Sequence, residues 1–591
     1  MTNVTRYLCA AAYLNEGYTR KVIRELVDEP YRAVVPSYGF DIGPVIGHCL
    51  RARRLHLIRD FTIWALLVGC TVVSPFSVSG YVALTLPFTV GRLVPWRRFG
   101  WRERLRLAMG ITVAYFVFSV FVGIFITTFV GAGVYAVFRL VPSGLNQRTF
   151  VFELIRHWID PLWFVLWQAL LWLAVLGISY GWQVIIYRKM RSELRPGAPT
   201  PPLDALADGP RRRTRHLVEA QMGDVTMYSK ENPFIGSGAP DSPWARAWSI
   251  VAELDRPAGP DKTVKPVQPV DLHEHVRRHL MGMAEEWPEG TDGRPDSSDP
   301  LRRLPANERI AGLNVGYHVV ARGSCAQYPR SSEPGSSLSD YQGHPLVDPV
   351  TDQPYSKTTD ESREAIIRHP QGGIRCYQRV TVGAEGQAIR DSSDALIAPA
   401  EDQDVVVSVF IHLAVEGHML DAQFVADVLP PVRREYQIVD RLPSCTDASL
   451  VRMAVRRRWL EAFSDGVMAP FRTVQCLFEM AKPKIRERTR PTSYTVYDYG
   501  ARLSARELAA EETLPTYLQV LDAHKYSRLI ERRLNEAVLD YLQRCDIDVS
   551  AYRRQADQIV EQSLMIAGDN YGPINTGSGR QDNRGTTIAR R

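Results

Sequence analysis

The chain reads as an α-helical membrane region, a helical hairpin plus two spans, followed by an α+β cytoplasmic domain with a mainly antiparallel sheet and C-terminal helices. Three observations predict this. Long charge-free apolar stretches are confined to residues 61–187; short runs alternating apolar and polar residues appear between 216 and 445; beyond 446, apolar residues recur at helical spacing. Averages over the 591 residues conceal this layout. A 45% hydrophobic content and a mean hydropathy of -0.17 are those of an ordinary soluble protein.

Residues 1–60 are expected to form a cytoplasmic N-terminal helical segment. Residues 1–17 lack the charged-then-apolar run of a signal peptide. The transmembrane region, 61–187, divides into 61–91, 107–138 and 161–187. About 20 apolar residues are needed to cross ~30 Å of hydrocarbon. The third stretch meets that length and carries Trp163, Trp167, Trp182 and Tyr187 where an interfacial aromatic belt would lie. The second is long for one span and has a candidate break at Gly131-Ala132-Gly133. The first is interrupted by Ser74-Pro75-Phe76-Ser77-Val78-Ser79-Gly80, a turn-like sequence, and so reads as a hairpin.

Arginine sets the expected orientation. Arg51, Arg53, Arg54 and Arg59 precede the hairpin, and Arg92, Arg97, Arg98, Arg102, Arg104 and Arg106 follow it. Arg188, Lys189, Arg191 and Arg195 follow the last span. By the positive-inside rule these flanks are cytoplasmic and the loop 139–160 is external. Both termini are expected to be cytoplasmic. Ionisable residues are missing from the apolar stretches, where only Gln168, Gln183 and hydroxyls such as Ser119, Thr127 and Thr128 interrupt them. That favours an anchor over a transport pathway.

A flexible linker, 188–215, is marked by Arg195-Pro196-Gly197-Ala198-Pro199-Thr200-Pro201-Pro202. The α+β domain, 216–445, follows. Leu313, Val315, Tyr317 and Val319 alternate with polar neighbours, and the runs 405–415 and 419–429 flank Glu416-Gly417-His418 as a β-hairpin ended by Pro430-Pro431. Further strand candidates are 216–228, 246–254 and 374–381. Polar loops at 290–307 and 330–362 read as disordered. A helical part, 446–566, contains 450–463, 467–481, 514–542 and 552–566, and a Gly/Asn-rich flexible tail occupies 567–591.

No chemical motif survives inspection, so no catalytic, cofactor-binding or metal residue is assigned. The formal charge of +6 comes from 71 basic against 65 acidic residues mixed along the chain, unlike the single-sign stripe of a nucleic-acid binder. Eight cysteines occur without a C-x-x-C pair, which argues against a zinc site and a disulfide framework and fits a reducing compartment. Gly177-Ile178-Ser179-Tyr180-Gly181 matches a nucleophile elbow in letters. It lies in an apolar helix, however, where G-x-x-x-G spacing lets helices approach, so Gly177 and Gly181 are read as a self-association face. In His273-Glu274-His275-Val276-Arg277-Arg278-His279, the pair His275 and His279 has metal-ligand spacing, but adjacent arginines favour a solvated helix face. Asn232-Pro233-Phe234-Ile235-Gly236-Ser237-Gly238 has the glycine and hydroxyl of an anion cradle but no P-loop lysine. His318 and His412 are read as packed strand residues. The run Arg456-Arg457-Arg458-Trp459, with Lys482, Lys484, Arg486, Arg488 and Arg490, is either a headgroup-binding or a solvated face.

Residues 9–17 (Cys-Ala-Ala-Ala-Tyr-Leu-Asn-Glu-Gly), 38–49, 232–238 and 429–436 resemble segments of uncharacterised multi-pass membrane proteins of actinobacteria. The resemblance implies a bacterial membrane location and no activity. The expected function is a membrane-anchored, non-enzymatic partner-binding, scaffolding or sensing protein. Its expected partners are the lipid bilayer and a cytoplasmic protein, not nucleic acid. The rival is a membrane-associated enzyme acting on a lipid or membrane-proximal substrate, with a pocket gathering His318, His412 and an acid such as Asp421 or Asp427.

Overall fold

The computed structural model describes residues 1–73, 75–93, 161–200, 208–285, 308–326, 344–385, 402–486 and 496–565, with short pieces between them. Nearly all of the expected span 107–138, the loop 139–160, most of the loops 290–307 and 330–362, and the tail 567–591 lie outside these residues. Two compact units are present. The first comprises Met1–Pro30, Phe40–Val218 and Val432–Tyr494; the second comprises Tyr31–Gly39, Glu219–Pro431 and Thr495–Arg591. The chain thus passes between units several times instead of dividing once at the 188–215 linker.

In chain order the helices are α1 (Asn3–Leu14), α2 (Glu16–Val22), α3 (Ile42–Val73), α4 (Pro75–Leu93), α5 (Pro161–Glu193) and α6 (Asp208–Ala220). After these come α7 (Pro269–Met281), α8 (Asp360–Arg368), α9 (Asp447–Arg486), α10 (Ala505–Ala509), α11 (Tyr517–Arg544) and α12 (Ser550–Met565). The strands are β1 (Val225–Tyr228), β2 (Arg246–Glu253), β3 (Leu313–Arg322), β4 (Ser324–Ala326) and β5 (Ile374–Glu385). They continue with β6 (Ile389–Arg390), β7 (Leu396–Ala398), β8 (Asp402–Glu416), β9 (Met419–Leu429) and β10 (Val496–Asp498).

The first unit is helical. Asn15 ends α1 in an extended conformation and caps α2, its side chain accepting from the Tyr18 N–H at 3.0 Å. That cap fixes Glu16 at the first position of α2. Helices α3, α4, α5 and α9 pack together around Ile63, Leu67, Tyr81, Leu171, Val175 and Ala469. Tyr81 lies so close to Gly466 that a β-carbon there would stand 2.3 Å from the tyrosine oxygen, so only glycine fits. Helix α9 runs unbroken from Asp447 to Arg486 through Pro470, although the sequence suggests two helices, 450–463 and 467–481.

The expected membrane region of a hairpin plus two spans is not what the structure shows. Among the described residues, one helix is long and apolar enough to cross a membrane: Val165–Glu193, within α5. The segment 61–73 is not an independent hairpin arm. It is the last part of the 32-residue α3, whose earlier turns carry buried charges, including Arg59 at 0% and Asp60 at 3% exposure. Apolar content over a short window cannot distinguish such a bundle helix from a membrane arm. Among the described residues that single helix is weak support for a membrane association, and a multi-pass arrangement is not supported.

The second unit contains a six-stranded sheet in the order β1-β3-β5-β8-β9-β2. Only β1 and β3 pair in parallel; the other four pairings are antiparallel. Gly417 and His418 both have positive φ, 55° and 62°, which makes the β8–β9 connection a type I′ turn whose twist matches the strands. Strand β8 is buried on both faces. Val407, Val409, Ile411 and Leu413 join the cluster formed with α7, α11 and α12, while Phe410 stacks in a separate cluster with Phe234, Val320 and Tyr377. The segment Tyr31–Gly39 completes this unit: the Ala33 N–H donates to the Tyr499 carbonyl at 2.8 Å, and Val35 packs in the cluster of Ile235 and Val319. The strand expected at 216–228 is α6 as far as Ala220, followed by β1.

Candidate functional site

In the first unit, three helices bring six ionised side chains together, and a fourth adds a hydroxyl. Arg458, Asp465 and Arg472 are spaced by seven along α9 and share one face. Asp465, 1% exposed, accepts from Arg472 at 3.0 Å, from Arg458 at 3.1 Å and from the Ser179 hydroxyl of α5 at 2.9 Å. Asp60 of α3 accepts from Arg472 at 2.9 Å and from the neighbouring Arg59 at 2.9 Å. Arg59 also donates to Glu16 of α2 at 2.7 Å. Three acids thus face three guanidinium groups, a charge balance that buried ions require. Burial alone would raise the Asp465 carboxyl, but Arg458, Arg59 and Arg472 outweigh it and hold the group below its ordinary value. Glu16 behaves alike: burial is outweighed by Arg59, His56 and Arg472, and its carboxyl stays well below the usual range.

This network walls a cavity of about 820 Å³. Glu16, His56, Gln183, Arg458, Asp465 and Arg472 line it, together with Arg457, Glu435 and Glu461. The volume falls in the range of small-molecule sites, and the convergent polar groups suit orientation of a polar ligand. Both ring nitrogens of His56 lack a hydrogen-bond partner, Nδ1 standing 3.6 Å from Glu16. Burial, opposed by Glu16, pushes this imidazole down to about 4, so it is neutral near pH 7 and able to exchange a hydrogen bond with a ligand.

The motifs picked out in the sequence fall elsewhere or take other roles. Ser179 is fully buried against Asp465, while Gly177 and Gly181 lie on the exposed side of α5 with nothing within 4 Å of an added β-carbon. Trp459 is 55% exposed beside the buried Arg458, so the basic run is neither uniformly solvated nor uniformly surface. In the second unit the Asn232–Gly238 loop does bind an anion, but one of its own chain. The N–H groups of Gly236 and Gly238 donate to Glu507 at 2.6 and 3.2 Å, and Ser237 donates to Asp427 at 2.8 Å. Burial raises Asp427 to about 6 and Glu507 to about 7.

His318 is packed between Phe234 and Phe410, and His412 faces the Cys376 carbonyl at 3.0 Å. Neither of them, nor Asp421 or Asp427, lines the large cavity. The His273–His279 segment is not a solvated face. Helix α7 packs on β8 and α11, leaving His273 1% and His275 7% exposed.

The fold and the cavity define a class: a sheet-bearing unit and a helical unit carrying one apolar helix and an ion-lined pocket. A family can also be given, since the chain belongs to the AbeC-like domain family, whose model matches residues 247–575. That match includes α9 and the sheet from β2 onward, and it gives no support to the resemblance to actinobacterial membrane proteins. No curated protein and no solved structure matches the chain.

Proposed function

We propose that this is a membrane-associated binding or sensing protein, with α5 in the bilayer and the 820 Å³ cavity as its ligand site. One observation carries the reading. The cavity wall is the same ion network that grips α5 through Ser179 and reaches α2, α3 and α9. A ligand bearing both charge signs would compete for Glu16 and for the weakly paired Arg457, which is 3.9 Å from Glu435, and so change the contacts holding α5. On this reading the helix lies in a bacterial inner membrane, the sheet-bearing unit meets a protein partner, and the exposed Gly177/Gly181 face of α5 pairs with a second copy. The unpartnered His56 beside Glu16 favours a second reading, an enzyme on a membrane-proximal substrate.

The test is mass spectrometry of small molecules extracted from the full-length protein purified in lipid nanodiscs. A polar compound retained by the parent and lost from Arg457→Gln supports the cavity. Recovery of that compound unchanged after incubation supports binding, and its conversion supports the enzyme. Full-length protein found in the soluble cell fraction would refute the membrane reading.

A further inference from the structure

In the second unit, α7 and α11 bring three metal-ligating side chains to one place, independently of the cavity described above. His275 and His279 lie one turn apart on α7, and Asp540 faces them from α11. His275 Nε2 is 2.9 Å and His279 Nε2 3.8 Å from Asp540 Oδ2, and all three ligand atoms lie within 4.8 Å of one another. The two imidazoles are 9% and 12% exposed, and Asp540 34%.

The hydrogen bonding makes this more than proximity. His279 Nδ1 is 3.0 Å from the His275 carbonyl oxygen, which can only accept. The proton therefore sits on Nδ1, and Nε2 presents a lone pair towards a carboxylate oxygen: two acceptors facing each other with no proton between them. Backbone anchoring of one ring nitrogen is how proteins orient a histidine whose other nitrogen ligates a metal. His275 Nε2 and Asp540 Oδ2 are both buried without a hydrogen bond of acceptable geometry, despite their short separation. What would satisfy all three atoms is a cation among them.

We infer that His275, His279 and Asp540 form a binding site for a divalent transition metal of the zinc class, with a fourth position left for water. Zinc–nitrogen bonds of about 2.0–2.1 Å at tetrahedral angles place ligand atoms about 3.3 Å apart, between the two separations seen. Imidazole nitrogen with one carboxylate selects zinc, copper or nickel over magnesium or calcium. Arg544, 55% exposed, lies 2.9 Å from the same Asp540 oxygen and is the cation that a metal would displace.

The experiment uses the full-length protein, stripped with EDTA, dialysed against Zn²⁺ and analysed for metal per chain, with Co²⁺ absorption as a second reading. One Zn²⁺ per chain is expected, together with the visible spectrum of tetrahedral Co²⁺. His279→Ala and Asp540→Asn are each expected to lose the metal; the second keeps the shape of the side chain and guards against failure to fold. His344→Ala is expected to keep it. Substoichiometric Zn²⁺ in the parent, or full retention by both His279→Ala and Asp540→Asn, would overturn the site.

Discussion

Replacing Asp465 by Asn removes one charge from the centre of the ion network and almost nothing else. The amide keeps the shape and can still accept from the Ser179 hydroxyl at 2.9 Å. What it cannot do is neutralise Arg458 and Arg472, which approach Asp465 at 3.1 and 3.0 Å. Arg458 is 7% exposed and keeps Glu461 at 3.3 Å as its remaining acid and the neutral Gln183 amide oxygen at 3.5 Å; Arg472 keeps Asp60. Breaking a buried pair by removing one member costs roughly 3–5 kcal/mol, because the other charge stays desolvated. Against a typical stability of about 5–15 kcal/mol, that is a large fraction. At roughly 2–4 °C per kcal/mol for a unit of this size, melting falls by on the order of 10 °C. The assay is thermal unfolding of the full-length protein in detergent, followed by a probe in the first unit. A second variant, Asp465→Asn with Arg458→Gln, restores the balance and is expected to recover part of the loss. If Asp465→Asn melts within 1–2 °C of the parent, the network is solvated and does not hold the helices together. The network also has a pH signature. Asp465 and Glu16 have folded values below their unfolded ones, so their contribution is present above the unfolded carboxylate range and is lost as pH falls through the lower, folded values.

Val409→Asp places an unpaired charge in a strand that is 0% exposed there and covered on both sides, and is expected to abolish folded full-length protein in detergent extracts; parent-like folding would refute the core assignment. Ser237→Ala removes a hydroxyl that is fully buried and bonds Asp427, so a loss of roughly 1–3 kcal/mol in denaturant unfolding is expected. His273, buried against the Leu413 carbonyl, is pushed down to about 4, so its contribution is complete above about 6.5 and lost as pH falls towards 4. The stability–pH slope between 6.5 and 4 is therefore expected to be shallower in His273→Gln than in the parent, and an unchanged slope would exclude this account. Asp427 and Glu507, raised by burial, act in the opposite direction, contributing stability below the ordinary carboxylate range and losing it as pH rises through about 6 and 7.

How much was legible depended on how far apart the interacting residues lie. The β8–β9 hairpin could be read directly, because two apolar runs meet at Gly417-His418 and both sides of the signal sit within 30 residues. The same holds for β3, whose alternation is local. The ion network was not legible, since Asp465 lies 286 residues from Ser179, and Arg472 lies 412 residues from Asp60. One trace existed: Arg458, Asp465 and Arg472 repeat at seven residues along a single helix. The His275/His279 spacing was visible too, but Asp540 arrives from a distant helix, so the two arginines beside the histidines suggested a solvated face. The membrane hairpin failed for the converse reason. Its apolar window was real, but Arg59 and Asp60, immediately before it, belong to the same helix and are buried.

Arg59 shows how a single residue changes the topological argument as well as the packing one. As a flanking charge it counted towards a cytoplasmic side, on the premise that arginines beside apolar segments stay in water or at headgroups. In the structure it is 0% exposed and bonded to Glu16 and Asp60, so its charge is cancelled within the protein. The orienting charge ahead of 61 then rests on Arg51, Arg53 and Arg54. The same cancellation ties the helices together: Glu16 belongs to α2, Arg59 and Asp60 to α3, Asp465 and Arg472 to α9, and Ser179 to α5. Removing or competing for any one charge leaves its opposite buried in another helix. An uncompensated buried ion is far more costly than a lost surface pair. A ligand entering the adjoining cavity therefore has leverage on all four helices only if it carries charge. A neutral apolar molecule of the same volume would fill space without engaging the groups that hold the helices in register.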